Sequence, residues 1–229
     1  MSFELRENDA AEDSAQEKEC RGRFITFEGG EGCGKSTQVR RLKEALEAAG
    51  IEVVLTREPG GTTLAEEIRR LIKDQPVDPP CDRSELLLFL AARAQLVRNV
   101  IRPALAAGKW VVSDRFSDST IAYQGYGRGL SLAFIASAND FACEGLRPDL
   151  TLLLDVAPET AAARLRGREA ATHTAADRIE RAGDEFHARL RKGFAELAKA
   201  EPGRILTIDA NGTSDEVWEK VWMSLKRFR

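Results

Sequence analysis

No two of the four cysteines, Cys20, Cys33, Cys81 and Cys143, stand in a C-x-x-C spacing. That argues against a zinc site and a disulfide framework, and it suits a reducing compartment. Histidine is scarcer: His173 and His187 are too few and too far apart in sequence for a metal centre. No apolar run approaches the ~20 residues of a membrane-spanning helix, and the N-terminus carries no apolar block of the signal-peptide kind. The expectation is a cytoplasmic protein with no membrane partner. Net charge is near -3, so no global field draws the chain to nucleic acid, and no nucleic-acid partner is expected. An N-K-x-D tetrapeptide, which guanine-reading switches usually carry, is missing too.

What is present is an apolar fraction of 43%, which supports a real core. Residues 1–22 are acidic, polar and without apolar periodicity, and read as a disordered tail. From Arg23 the pattern changes to a single domain, 23–229. RFITFE is a β-rich run. Residues 35–49 carry Val39, Leu42, Leu46 and Ala49 at helical spacing, and Gly50 stops them. EVVLT follows as a strand, then a helix to Lys73 with Thr63 and Glu66 as a capping box. Beyond the proline-rich DQPVDPPCD, Ser84 is expected to cap a long apolar helix running to Gly108, with Pro103 as its kink or break. WVVS is a strand, 131–144 a helix, and LTLLLD a nearly continuous apolar strand. Pro158 opens a helix expected to end near Gly167. A helix from about Asp184, the strand RILTID and a last helix complete the chain. That last helix is capped by Thr213 and Glu216 and turns Val217, Val221, Trp222 and Leu225 inward. Five apolar strands alternating with helices predict an α/β fold: three layers, with a five-stranded parallel sheet flanked by helices.

Between the first strand and the first helix stands FEGGEGCGKST. Gly29-x4-Gly34-Lys35-Ser36 fits the phosphate-binding pattern G-x-x-x-x-G-K-[ST] in the required context, after a strand and opening a helix. Glycines let successive N–H groups turn inward around a phosphate, and the helix N-terminus adds positive potential. ATP is therefore expected along Gly29, Gly30, Glu31, Gly32, Cys33, Gly34, Lys35, Ser36 and Thr37. Lys35 reaches the β- and γ-phosphates, and Ser36 holds Mg²⁺.

Three further stretches follow strand ends: TREPGGT, SDRFSDSTIAYQGYGRG, and RLRGREAATHTAADRIE. Ligands of an open parallel sheet sit at the carboxyl ends of strands, so all three converge on the glycine loop. Together with that loop they resemble the thymidylate kinase family from about Arg23 to the C-terminus, and DRF followed by AYQGYGRG is the most specific part. The resemblance implies a P-loop NTPase fold of the nucleoside-monophosphate kinase kind, phosphorylation of dTMP by ATP, and a homodimer. A kinase of UMP/CMP type or of another small molecule is the alternative.

The family differs in where a catalytic arginine sits. Here the loop residues are not basic, while Arg164, Arg166 and Arg168 crowd the lid candidate at about 164–180. This is the lid-arginine pattern, and Arg166 and Arg168 are favoured because they fall where the helix is expected to give out. By the same resemblance Asp114 supports Mg²⁺ through water, Arg115 grips the dTMP phosphate beside the donor, and Glu31 lies near metal and acceptor. Phe89 stacks on thymine. Arg93, four residues on and so on the same helix face, bonds base or phosphate. Arg57, Glu58 and Arg69 flank the acceptor. Ser119, Thr120 and Gln124 are candidate partners of the base. Tyr123 stands where a ribose 2′-hydroxyl would have to fit.

Overall fold

The computed structural model describes residues 22–73, 77–172 and 182–226. Residues 1–21 of the expected tail and 173–180 of the expected lid lie outside them. Five strands form one sheet, β1 (Phe24–Glu28), β2 (Val53–Arg57), β3 (Trp110–Asp114), β4 (Leu150–Asp155) and β5 (Ile205–Asp209). Their order is β2-β3-β1-β4-β5, and every pairing is parallel.

The helices connecting them are α1 (Lys35–Ala48), α2 (Thr63–Lys73), α3 (Asp82–Leu96), α4 (Arg102–Ala106), α5 (Ser117–Thr120), α6 (Leu132–Cys143), α7 (Pro158–Thr172), α8 (Asp184–Ala200) and α9 (Ser214–Lys226). Side chains of a strand alternate between faces. One face, with Ile25, Phe27, Val112, Leu152 and Leu154, packs on Val39, Leu42 and Leu46 of α1 and Val217, Val221 and Leu225 of α9. On the other, Phe24 and Val111 meet Leu96 of α3, and Leu153 meets Phe186 and Leu190 of α8. Among the described residues no helix is long and apolar enough to cross a membrane.

The second face is less apolar than the sequence suggests. Thr26, Glu28, Ser113 and Thr151 are all buried there. Thr26 and Thr151 share a 2.8 Å hydrogen bond between neighbouring strands, which satisfies both hydroxyls. At the carboxyl edge each of the five strands ends on a charged residue: Glu28, Arg57, Asp114, Asp155 and Asp209.

Several boundaries differ from expectation. α3 starts at Asp82 with Cys81, not Ser84, at its N-cap. Pro103 breaks nothing: a π-helical turn (Val97–Ile101) carries the chain into α4, and the proline sits in the first turn, where its missing N–H is tolerated. α2 is capped by Thr62, whose hydroxyl accepts from Ala65 N at 3.2 Å, and Glu66 reaches instead to the Gly61 N–H at 2.9 Å. α7 runs past Gly167 to Thr172. The reciprocal box at α9 is as expected: Thr213 N donates to Glu216 Oε2 at 2.7 Å and Glu216 N to Thr213 Oγ1 at 3.3 Å.

Candidate active site

The loop between β1 and α1 needs glycine for reasons of space. Gly29 has φ of 136° and Gly32 φ of 72°. A Cβ would stand 2.4 Å from the Leu154 carbonyl oxygen at the first and 2.6 Å from the Ala161 oxygen at the second. The loop thus lies flush against β4 and α7, and its amides are left for a ligand. Lys35 is folded back, donating to the carbonyls of Gly29 at 3.0 Å and Gly30 at 2.8 Å. Cys33 is buried, with its sulfur 3.4 Å from the Lys35 Nζ. What it offers a nucleotide is its main chain, as do Gly29 and Gly30. Ser36 Oγ donates to Asp114 Oδ2 at 2.8 Å, so the hydroxyl and carboxylate named for Mg²⁺ stand together.

A cavity of about 510 Å³ opens beside this loop. Glu31, Gly32, Gly34, Lys35, Ser36 and Thr37 line its donor side. Arg57, Glu58, Arg69, Phe89, Arg93, Ser119, Thr120, Tyr123 and Gln124 line the other, with Asp114 and Arg115 also in its wall. Arg115 follows β3 and is held with φ of 76°, a left-handed conformation that costs an L-residue roughly 1–2 kcal/mol. Its Nη1 donates to Gly29 O at 3.0 Å and Ser119 Oγ at 3.1 Å, its Nη2 to Glu31 Oε1 at 2.7 Å. Tyr123 lies under the guanidinium, 4.8 Å from ring centroid to Cζ, and its hydroxyl donates to the same Glu31 oxygen at 3.0 Å. Burial alone would raise the Glu31 carboxyl. Arg115, then Lys35 and the Tyr123 hydroxyl, outweigh it and hold the group down to about 2. Burial lifts the Tyr123 phenol well above its usual range.

Arg93 is wholly buried. Its Nε donates to both Glu58 oxygens at 3.0 and 3.1 Å, its Nη2 to Glu58, and its Nη1 to Thr120 Oγ1 at 2.8 Å and Asn139 Oδ1 at 2.6 Å. Burial would depress this guanidinium; Glu58 overcomes that and raises it. Other acceptor-side residues also have protein partners. Gln124 Nε2 donates to Glu85 at 2.9 Å, which turns its carbonyl oxygen away from that carboxylate. Arg69 donates to Pro59 O at 2.9 Å, and Arg57 pairs with Glu66 at 3.0 Å.

The lid arginines separate along α7. Arg164 and Arg168, four apart and on one helix face, line the cavity. Arg164 also donates to Gly212 O at 2.7 Å. Arg166, one of the two favoured from sequence, is exposed and outside the cavity wall, because α7 continues through the point where its end was expected. Lys73 at the end of α2 also lines the cavity, and no motif marked it. Glu28 and Glu85 went unmarked as well. Each is buried and holds a residue of the site, and the only sequence hint is an acid at the border of an apolar run.

A parallel sheet of this order, a glycine cradle ahead of α1 and a second, arginine-lined compartment opening on the same cradle define a P-loop phosphotransferase with an acceptor site for a small phosphorylated molecule. The comparisons with known proteins narrow this further. The family model "Thymidylate kinase" matches residues 27–221. The chain is 52% identical over 201 residues to a thymidylate kinase of Solidesulfovibrio magneticus, covering 87% of this chain and 96% of that one. It is 50% identical over 203 residues to a thymidylate kinase of Synechococcus sp. strain JA-3-3Ab, covering 89% and 95%. The crystal structure of a thymidylate kinase from Ehrlichia chaffeensis superposes with a TM-score of 0.71 at 38% identity, over 90% of this chain and 99% of that one. The chain belongs to the thymidylate kinase family.

Proposed function

We propose that the chain transfers the γ-phosphoryl group of ATP, bound with Mg²⁺, to dTMP, yielding ADP and dTDP. The observation that carries this reading is Arg115, poised between the glycine cradle and the acceptor compartment. Phosphoryl transfer needs alignment and cations around the moving group more than covalent help. An oxygen of the dTMP phosphate attacks the γ-phosphorus in line as the bond to the β-phosphate oxygen breaks. Lys35 leaves the Gly29 and Gly30 carbonyls for the β- and γ-phosphates. Arg115 exchanges Glu31 for phosphate oxygens, and Arg164 and Arg168 approach from α7. In the acceptor compartment Phe89 stacks on the base. Arg93, fixed by Glu58, and Thr120, held by Arg93, offer donors to it, and Gln124 offers its carbonyl oxygen.

Ser36 and Asp114 supply hard oxygen donors, which suits Mg²⁺. Among the described residues no three His, Cys, Asp or Glu side chains form a metal cage, in keeping with an ion that binds through one or two protein oxygens plus phosphates and water. Held through Ser36 and Asp114, Mg²⁺ would supply positive charge that offsets the negative charge developing on the transferred phosphoryl group.

Measuring ADP release with a panel of deoxy- and ribonucleoside monophosphates tests the reading. dTMP is expected to stimulate release far above the acceptor-free rate. Equal stimulation by UMP or CMP, or none by dTMP, would contradict it. Tyr123, wedged between Arg115 and Glu31, is assigned the deoxy preference. Tyr123→Ala should narrow the kcat/KM ratio of dTMP over its ribo analogue by ~10-fold; an unchanged ratio places the discrimination elsewhere.

The working unit is a cytoplasmic homodimer. α2 packs on α3 and α3 on α6, and these neighbouring helices expose Leu64, Leu71, Leu87, Phe134 and Phe141, the last 87% exposed. Such apolar residues on adjoining helices suit an interface between copies. Sedimentation should show a dimer, and a Leu87→Glu/Phe141→Glu variant a monomer. A monomeric wild type would remove the assignment.

A further inference from the structure

Glu28, the last residue of β1, is buried, ionisable and unused by the chemistry above. Its three hydrogen bonds come from amides and a hydroxyl rather than from a cation. Oε1 accepts from Phe116 N at 2.8 Å and Ser119 N at 3.2 Å, and Oε2 from Ser119 Oγ at 2.6 Å. All three donors lie within the four residues after Arg115, the residue in left-handed conformation. Ser119 Oγ is also the atom that accepts from Arg115 Nη1, so a relay runs from guanidinium to hydroxyl to Glu28. The Arg115 main chain is held as well: its N–H donates to Phe27 O at 2.9 Å and its carbonyl accepts from Ser113 Oγ at 2.7 Å.

We propose that Glu28 is a positioning residue for phosphoryl transfer: through Ser119 and the amides of Phe116 and Ser119 it holds the turn after β3 in the strained shape that aims Arg115 at the phosphates. Only the ionised carboxylate serves all three donors and leaves the Ser119 hydroxyl proton pointing at Glu28, with its lone pair free for Arg115. A protonated Glu28 would donate to Ser119 and reverse the relay. The inference rests on the reading of Arg115 given above.

The surroundings make this charge state pH-dependent near neutrality. Burial, and then Asp118, push the carboxyl up to about 7, against Arg115, the Ser119 hydroxyl and the Phe116 amide. Arg93 of α3 also faces it, Glu31 lies across Arg115, and Arg204 pairs with Asp118 from the far side. A carboxyl raised above its unfolded value of 4.5 contributes stability that is full below that value and lost as pH rises through about 7. The fold therefore sacrifices stability to keep Glu28 ionised where the relay operates.

The test compares wild type, E28Q, S119A and R115A in dTMP-dependent ADP release from about pH 5.5 to 9. E28Q should lower kcat ~10- to 100-fold and leave the KM for ATP within ~2-fold. The acid limb of wild-type kcat/KM, which reports the ligand-free enzyme, should fall at about 7. In E28Q it should move down to ~6, the second ionisation of a phosphate monoester. In S119A, which removes a bond holding the carboxyl down, it should move up. E28Q with kcat within ~3-fold of wild type and limbs unmoved in both variants would overturn the proposal. Should E28Q fail to fold, the S119A limb decides alone: displaced upward it supports the role of Glu28, unmoved it refutes it. Full activity in R115A removes the reading of Arg115 itself. Loss there with E28Q unaffected removes only the role of Glu28.

Discussion

Replacing Arg115 by alanine is expected to lower dTMP-dependent kcat by ~10³-fold or more, the range seen when an arginine at a transferring phosphoryl group is lost. The guanidinium bridges the two halves of the site, bonded to Gly29 O on the donor side and Ser119 Oγ on the acceptor side. Glu31 and Tyr123 hold it meanwhile. ATP affinity should change little, because the amides of residues 29–37 and Lys35 make the donor cradle without it. Arg115→Lys should recover only a small part, since an ammonium cannot reproduce the planar fork. Steady-state rates with a parallel measurement of ATP binding check this. Activity within ~10-fold of wild type would remove Arg115 from the transfer step.

The second large effect is on stability. Arg93→Ala is expected to cost about 3–5 kcal/mol of unfolding free energy, because it strands Glu58 as a buried, unpaired carboxylate. Glu58 is 6% exposed, and the Thr120 and Asn139 oxygens lose their donor at the same time. The double variant Arg93→Met/Glu58→Met should be less damaging than the single one, since removing both charges leaves neither uncompensated. Urea unfolding of the three proteins settles the order. A loss below ~1 kcal/mol in the single variant would mean that water reaches Glu58.

Elements with a strong period and a cap were legible in the sequence. α1 ends within a residue of its expected limit and α9 opens at its expected cap; Val39, Leu42 and Leu46 of the one and Val217, Val221 and Leu225 of the other are buried in the core with Trp222 packed against them, while Ala49 is the exposed C-cap of α1. The length of α7 was not legible, because Gly167 looked like a stop although a glycine in a helix interior costs only ~1 kcal/mol. Likewise no period marked AYQGYGRG as helical, yet most of it is a π-helical turn (Ile121–Gly127) running on from α5.

For the site, the motifs told which residues converge but not which atoms they bond. Glu58 and Thr120 read as substrate contacts, and in the structure both grip Arg93, 35 and 27 positions away. Ser119 grips Glu28, 91 positions away. Such pairs are made by strand order, which brings β1, β2 and β3 side by side, and no local spacing encodes them. Glu28 and Glu85 escaped notice for the same reason. An acid at the border of an apolar run shows its purpose only once the donor facing it is known.

The central claim is that one cavity holds donor and acceptor phosphates end to end with Arg115 between them. Calorimetric binding of a bisubstrate compound, adenosine and thymidine joined through five phosphates, measures this most directly. Wild type should bind it at least ~10²-fold more tightly than dTMP alone, because the second half binds at high effective concentration, and Arg115→Ala should lose most of that gain. A bisubstrate that binds no better than dTMP, or equally well to both proteins, would contradict the account.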